Sequence, residues 1–284
     1  MAESDLPPSF RFSQASLQDY ADCPRRFQLR YILETRWPAA HDEPAIERER
    51  RMQRGAEFHD LIHQHTLGLP VEVLSAVASA RTSAGQNDLR RWWDAYLTAP
   101  PPDLPTALRQ AEVRLSTPFG VYHLFARYDL LAIDPGKKAV IVDWKTGQTR
   151  PERTWLAKRW QTLVYCYVLV EAGTQLNGGV SIAPGQVEMI YWFANFPGQI
   201  ERFSYDDDEH TTAENVLRAL IAEIAAQDRE TWPLTDEIRR CQYCAYRTLC
   251  DREKISEEER IEGEAETEPF DFDLDLEQIA EIEF

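Results

Sequence analysis

No apolar run in this 284-residue chain approaches the roughly 20 residues that a membrane helix needs. The opening residues Met1 to Pro8 lack the basic and apolar blocks of a secretory leader. A membrane span and export are therefore not expected, and the expected location is the cytoplasm. There is no G-x-x-x-x-G-K-[ST] loop, so any ATP-driven step must come from a partner. Cysteine is scarce, at five residues, and a disulfide framework is not expected in a chain of this size without a leader. Positive charge is also short. Lys and Arg total 31 against 48 Asp and Glu, a formal net of −17, which at first sight opposes binding to a polyanion.

The distribution of that charge changes its meaning. Residues 255–284 hold 13 acids and one base, Arg260, so −12 of the total resides in the tail. Residues 1–254 hold 30 basic and 35 acidic side chains. Within this body Arg150, Arg153, Lys158 and Arg159 cluster with Trp155 and Trp160. Arg25, Arg26 and Arg30 follow Cys23, and Arg239, Arg240 and Arg247 surround the other clustered cysteines. Guanidinium groups interleaved with indoles can hold phosphates and stack unpaired bases, although each residue alone is also what a solvated helix face provides. The tail's spaced Phe270, Phe272, Leu274, Leu276, Ile279, Ile282 and Phe284 suit docking on the protein itself or on a partner, while its acidity suits disorder when free.

A set of chemical groups stands in the middle of the chain. Residues 120–133 and 138–145 read as strands joined by the turn Asp134-Pro135-Gly136-Lys137. Asp143 and Lys145 share one face of the second strand, and a hairpin would bring Asp129 within reach of Asp143. Carboxylates and waters suit Mg²⁺ or Mn²⁺, and a lysine beside the ion can orient a water or offset charge on a phosphate. Gln161 and Tyr165, spaced i and i+4 on a following helix, offer hydrogen-bond donors on one side. Upstream, Gly55 precedes His59 by one helical turn, which permits close approach of that helix. Glu112, on the strand before the hairpin, reads more simply as a surface charge. His59-Asp60-Leu61-Ile62-His63 does not make a zinc-peptidase helix, because Asp60 stands where the general-base glutamate is required.

The ordered set His59, Asp129, Asp143-x-Lys145 and Gln161-x-x-x-Tyr165 resembles the RecB-like branch of the PD-(D/E)xK nuclease superfamily, over roughly residues 13–252. That resemblance implies His59, Asp129 and Asp143 as metal ligands, Lys145 as the catalytic lysine, and Gln161 and Tyr165 as supporting residues. It also implies DNA as substrate, with single strands or strand ends favoured.

Cys241, Cys244 and Cys250 form C-x2-C-x5-C, far in sequence from Cys23. Three clustered thiolates and one distant partner can hold zinc or an iron–sulfur cluster, and the residues alone leave both open. The Cys23-Pro24-Arg25-Arg26-Phe27 context is similar to the N-terminal element of RecB-like members that bind a [4Fe–4S] staple. The resemblance therefore implies that cluster, with zinc as the lesser alternative. Cys166, inside an apolar helix, reads as a small buried hydrophobe.

The expected architecture is α/β: a PD-(D/E)xK (restriction-endonuclease-like) core with a central mixed sheet flanked by helices and a helical N-terminal section. One domain is expected over 1–254, with the helical section at about 13–98, the sheet core at about 106–230 and the cysteine triplet at 241–250. Residues 255–284 form an appended acidic tail. Helices are expected at 46–67, 71–82, 86–98, 154–169 and 211–228, and strands at 109–117, 120–133, 138–145, 186–196 and 200–205. The functional expectation is a Mg²⁺- or Mn²⁺-dependent deoxyribonuclease of repair or recombination, with a helicase or other DNA-processing protein as partner. The other settings are a CRISPR adaptation nuclease that processes spacer precursors and a non-catalytic, cluster-bearing DNA-binding subunit.

Overall fold

A computed structural model describes residues 6–7, 9–36, 43–81, 88–227, 230, 232–241 and 244–252, with side chains of 43–48 excepted. The acidic tail and its proposed docking lie outside the described residues. Among those described, no helix is long and apolar enough to cross a membrane.

The chain opens with a two-residue strand β1 (Arg11–Phe12) and helix α1 (Gln14–Asp22). Ser13 caps α1 by accepting from Ser16 N, and Ser16 returns a bond to Ser13 N, so two backbone donors at the helix start are satisfied locally. Pro24 starts the short α2 (Pro24–Phe27), which widens into a π-type turn over Gln28–Ile32. Helices α3 (Glu43–Thr66), α4 (Val71–Ala80) and α5 (Asp88–Thr98) follow. Then come strands β2 (Leu108–Phe119), β3 (Tyr122–Asp134) and β4 (Lys138–Lys145), which form a meander. Gly120 and Gly136, at φ +64° and +72°, supply the left-handed residues that its two tight turns require.

The expected helix over 154–169 is broken in two. The structure has α6 (Arg153–Leu156) and α7 (Trp160–Ala172), because Arg159 adopts extended backbone at φ −66°, ψ 140°. Gln161 is therefore in the first turn of α7 rather than at a helix centre. Strands β5 (Val187–Phe193) and β6 (Ile200–Ser204) complete the sheet, and α8 (Asp207–Ala225) follows. This last helix begins four residues before its expected start. Asp206 and Glu209 form a reciprocal cap, and Asp207, Asp208 and Glu209 sit at the positive end of the helix dipole.

The six strands form one mixed sheet. β2 runs antiparallel along one edge of β3, and the other edge is shared by β1 at its start and β4 at its end. β4 pairs parallel with β5, and β5 antiparallel with β6. The sheet separates two apolar layers. On one face Ile141, Met189, Tyr191 and Phe203 pack with α1, α7 and α8. On the other, Val140, Val142, Trp144 and Trp192 pack with Phe58, Leu61, Trp92 and Trp93 of α3 and α5. This is the expected mixed sheet flanked by helices, with the N-terminal helices gathered on one face.

The two ends of the described chain meet. Phe27 stacks on Trp232 at 5.7 Å and 8° between planes, Arg25 N donates to Pro233 O at 3.0 Å, and Tyr20 Oη donates to Glu223 at 2.8 Å. Arg240 pairs with Asp22, and Tyr246 Oη donates to Thr35 O at 3.1 Å. Phe27 is fully buried. Phe27→Ala is thus expected to cost about 3–5 kcal/mol, from lost transfer energy and the cavity left behind. Thermal unfolding checks this, and a melting temperature unchanged from wild type would deny the junction a stabilising role.

Candidate active site

The site lies where β3 and β4 part. Their ladder runs from Asp134↔Lys138 only as far as Leu130↔Val142. Beyond it, the Asp129 side chain takes the place of a backbone partner, and its Oδ2 accepts from Trp144 N at 2.8 Å. On its other edge, β3 pairs with β2 through Ala111↔Leu130 and Val113↔Tyr128, with Glu112 opposite Asp129 and outside the ladder pairs. Glu112 has φ +58°, a conformation that costs a non-glycine residue about 1–3 kcal/mol.

The inward-facing phase of β3 inverts at the same place. Leu124, Ala126 and Tyr128 join the layer under α7, whereas Leu130 and Ala132 join the opposite layer. This break in alternation turns both carboxylates out of the sheet and towards α3.

His59 of α3 meets them from that side. Its Nδ1 is 3.2 Å from Asp129 Oδ1, and its Nε2 is 3.1 Å from Trp144 O. With Nε2–H donated to the carbonyl, a neutral imidazole presents its Nδ1 lone pair to the carboxylate. That arrangement asks for a cation between them, either a proton on Nδ1 or a metal ion. Nδ1 is buried and makes no aligned hydrogen bond. Ligand atoms of His59, Glu112 and Asp129 all lie within 4.8 Å of one another. One nitrogen and two carboxylates converging in this way fit a hard divalent ion with room for waters.

The second half of the site occupies the other face of β4. Lys145 Nζ is 3.0 Å from Asp143 Oδ2 and donates to Gln161 Oε1 at 2.9 Å, and Gln161 Nε2 donates to Asp143 Oδ1 at 2.7 Å. All three side chains are buried. Asp143 is thus held by Lys145 and Gln161 rather than within the His59 group. The two halves share the Trp144 peptide, whose N–H and C=O are held by Asp129 and His59. Tyr165 lies one turn beyond Gln161, with its ring 5.0 Å from Tyr128, and Tyr128 Oη donates to the Tyr165 carbonyl at 3.0 Å.

The electrostatics differ between the halves. Burial pushes the Asp143 carboxyl up to about 6, with nearby Asp129 adding to the rise and Lys145 opposing it. Burial acts on Asp129 in the same sense, but His59, the Trp144 N–H and Lys145 outweigh it and hold this carboxyl below its usual range. For His59, burial disfavours the charged ring, yet Asp129, Asp143 and Glu112 together raise its pKa. A divalent ion is an effective replacement for the proton that this negative site attracts.

Glu112 is the site residue that strand periodicity treats as a surface charge. It also receives Arg127, at 2.7 Å. The available signal was the apolar phase of β3, which shifts between Tyr128 and Leu131 (a break opposite Glu112). Glu112→Gln is expected to weaken Mn²⁺ binding about tenfold or more. Calorimetric titration of the metal decides this, and an unaltered dissociation constant would remove Glu112 from the ion's surroundings.

At the meeting of the chain ends, Cys23 and Cys241 are buried, and Cys244 and Cys250 are half-buried. Burial raises the pKa of each of the three C-terminal thiols, and the charge of Cys23 raises each further. The four sulfur groups therefore share one neighbourhood. Arg25, Arg26 and Arg252 oppose those rises and would offset thiolate charge. Among the described residues, no three of these sulfurs lie mutually within 4.8 Å, whereas four thiolates on one tetrahedral zinc stand about 3.8 Å apart. Cys166 is apart from this group, buried in α7, and burial holds its thiol well above the ordinary value.

Comparisons with known proteins agree with this layout. Over residues 11–251 the chain matches the family model described as the PD-(D/E)XK nuclease superfamily. Among solved structures, a protein from Eubacterium rectale carrying the provisional name exonuclease is similar, at 12% identity and TM-score 0.50. The match covers 86% of this chain and 88% of that one. The protein SSO0001 matches at 14% identity and TM-score 0.37, covering 86% and 87%. Among curated proteins no match is found. With an α/β sheet that splays at Asp129 and carries Asp143 and Lys145 on the strand beyond, and with a family match running through nearly all of the described residues, this chain belongs to the PD-(D/E)XK nuclease superfamily.

Proposed function

We propose that this protein is a Mg²⁺- or Mn²⁺-dependent deoxyribonuclease acting on single-stranded DNA or strand ends. The observation that carries the reading is the convergence of His59, Glu112 and Asp129, with the lone pair of a buried ring nitrogen turned inward, beside the Asp143–Lys145–Gln161 chain. His59, Asp129 and Asp143 hold the ion, with Glu112 as a further carboxylate. When bound, a divalent ion supplies Lewis acidity towards a phosphoryl oxygen and lowers the pKa of a bound water.

The remaining roles belong to the chain's own groups. Lys145 orients the attacking water and offsets negative charge as it grows on the phosphate. Gln161 fixes both Lys145 and Asp143, so the amine and carboxylate keep their relative places without a substrate. Tyr165, packed on Tyr128, supports the helix that carries Gln161. The test is release of end label from a single-stranded oligonucleotide with Mn²⁺, with Mg²⁺ and with chelator. Equal release in chelator would sink metal dependence.

The second part of the reading is a [4Fe–4S] cluster on Cys23, Cys241, Cys244 and Cys250, with a structural role. Four thiols in one neighbourhood, more widely spaced than single-ion ligands, support it, because a cluster gives each sulfur its own iron. A setting in repair or recombination, with a helicase partner, is favoured over CRISPR adaptation only by the general character of the site. A non-catalytic DNA-binding subunit is the reading to which the buried Lys145–Asp143 pair runs counter, because such a subunit has no need to retain it.

A further inference from the structure

The connection between β4 and α7 carries cations that the hydrolytic set does not use. Arg150 Nη2 and Arg153 Nη1 donate to different oxygens of Glu201, the latter at 2.9 Å. Each guanidinium also lies over an aromatic ring, Arg150 at 5.6 Å from the Phe193 centroid and Arg153 at 4.2 Å from that of Phe203. The Glu201 side chain is 13% exposed, while those of Arg150 and Arg153 keep 33% and 54%. The anion is therefore covered and the outer edges of the two cations are open. Two guanidiniums against one carboxylate leave positive charge in excess, with donor forks only partly used.

Register places this pair relative to the catalytic groups. Asp143 is opposite Tyr191, and Tyr191 is opposite Glu201. Glu201 is thus two strands from Asp143 on the same face of the sheet, roughly 10 Å away at ordinary strand spacing. That is the distance of a neighbouring phosphate, not of the scissile one. In the same connection the Arg159 guanidinium stacks 4.5 Å from the ring of half-buried Trp155. Aromatic and guanidinium faces of this kind suit unpaired bases, which a duplex keeps inside its stack.

We infer that Arg150 and Arg153 form a second phosphate subsite, for the strand of single-stranded DNA that extends from the catalytic centre across β5 and β6. Glu201 holds the two forks ready from below, using the same planar geometry that a phosphate uses from outside. The inference rests on the nuclease reading, and its test separates the two.

The probe is fluorescently labelled oligo-dT, measured by anisotropy with the full chain in chelator. Arg150→Ser/Arg153→Ser is expected to raise Kd about tenfold. The slope of log Kd against log salt should fall by about 1.4, at about 0.7 for each lost phosphate contact. The paired Arg→Lys variant should keep the slope. Glu201→Gln should lower Kd severalfold, because it removes an anion beside the phosphate, an outcome that damage to the fold would not produce. Bis(p-nitrophenyl) phosphate, too small to span to Glu201, should be hydrolysed in Mn²⁺ at the wild-type rate by the serine variant.

An unchanged Kd and slope in the serine variant would overturn the subsite, as would weaker binding by Glu201→Gln. A blunt duplex bound as tightly as oligo-dT, and equally weakened, would overturn the single-strand assignment. Failure of wild type to cleave DNA or the small ester would instead overturn the nuclease reading, while the binding data still decide the subsite.

Discussion

Lys145→Ala is expected to slow Mn²⁺-dependent degradation of labelled single-stranded DNA by about 10²–10⁴-fold, the range for losing a positioned proton-transfer or charge-stabilising group. The amine has no substitute nearby in this arrangement. It is buried, 3.0 Å from Asp143 and 2.9 Å from Gln161 Oε1, so another lysine cannot enter without displacing both. Asp143→Ala should produce a loss of the same order through the other member of the pair. Metal binding separates their roles. Lys145→Ala should retain Mn²⁺ affinity at the His59, Glu112 and Asp129 group, whereas Asp143→Ala should lower it. Both substitutions disturb a buried ion pair, so melting temperatures must accompany the rates. If both variants cleave like wild type, the activity lies at another site or in a contaminant.

The second large effect concerns the cysteines. Protein purified without oxygen is expected to be brown, with iron and acid-labile sulfide in equal amounts. Cys244→Ser should bleach it. A cluster joining Cys23 to the C-terminal triplet closes a loop of about 220 residues. By the chain-entropy relation for cross-links, such closure contributes about 5 kcal/mol. At this chain length that is worth about 10–20 °C in melting temperature. The loss on Cys244→Ser should therefore exceed that of most single core truncations. Cys166→Ser offers a control, because Cys166 lies in the core of α7 and its replacement should leave the colour intact. Colourless protein with one equivalent of zinc would replace the cluster with a single-ion site.

These expectations draw unequally on sequence and structure. The residue types of the site, their order and the turn between β3 and β4 were legible, because each depends on close neighbours. Asp134-Pro135-Gly136-Lys137 turns wherever it is placed, and Asp143 and Lys145 share a face of any strand. The single helix expected over 154–169 failed at Arg159, where an extended residue, not a proline or glycine, divides α6 from α7. Residues 153–169 are apolar at helical spacing on both sides of the break, so periodicity could not register it.

Glu112 was harder still. Its placement comes from a left-handed backbone and from a change of strand phase opposite Asp129. Neither belongs to the glutamate itself. The split of the acids into a His59 group and a Lys145–Gln161 group is likewise invisible to spacing, because it depends on which face each neighbouring helix covers.

Composition and order along the chain thus determined the mixed α/β class, the absence of an apolar span and the inventory of chemical groups. Tertiary packing decided which of those groups meet. It brought α3 and α7 to opposite faces of β4, opened the sheet at Asp129, and joined Cys23 to a triplet more than two hundred residues away. The physical reason is range: turn chemistry and side-chain alternation act over a few residues, whereas convergence is set by how buried layers fill space.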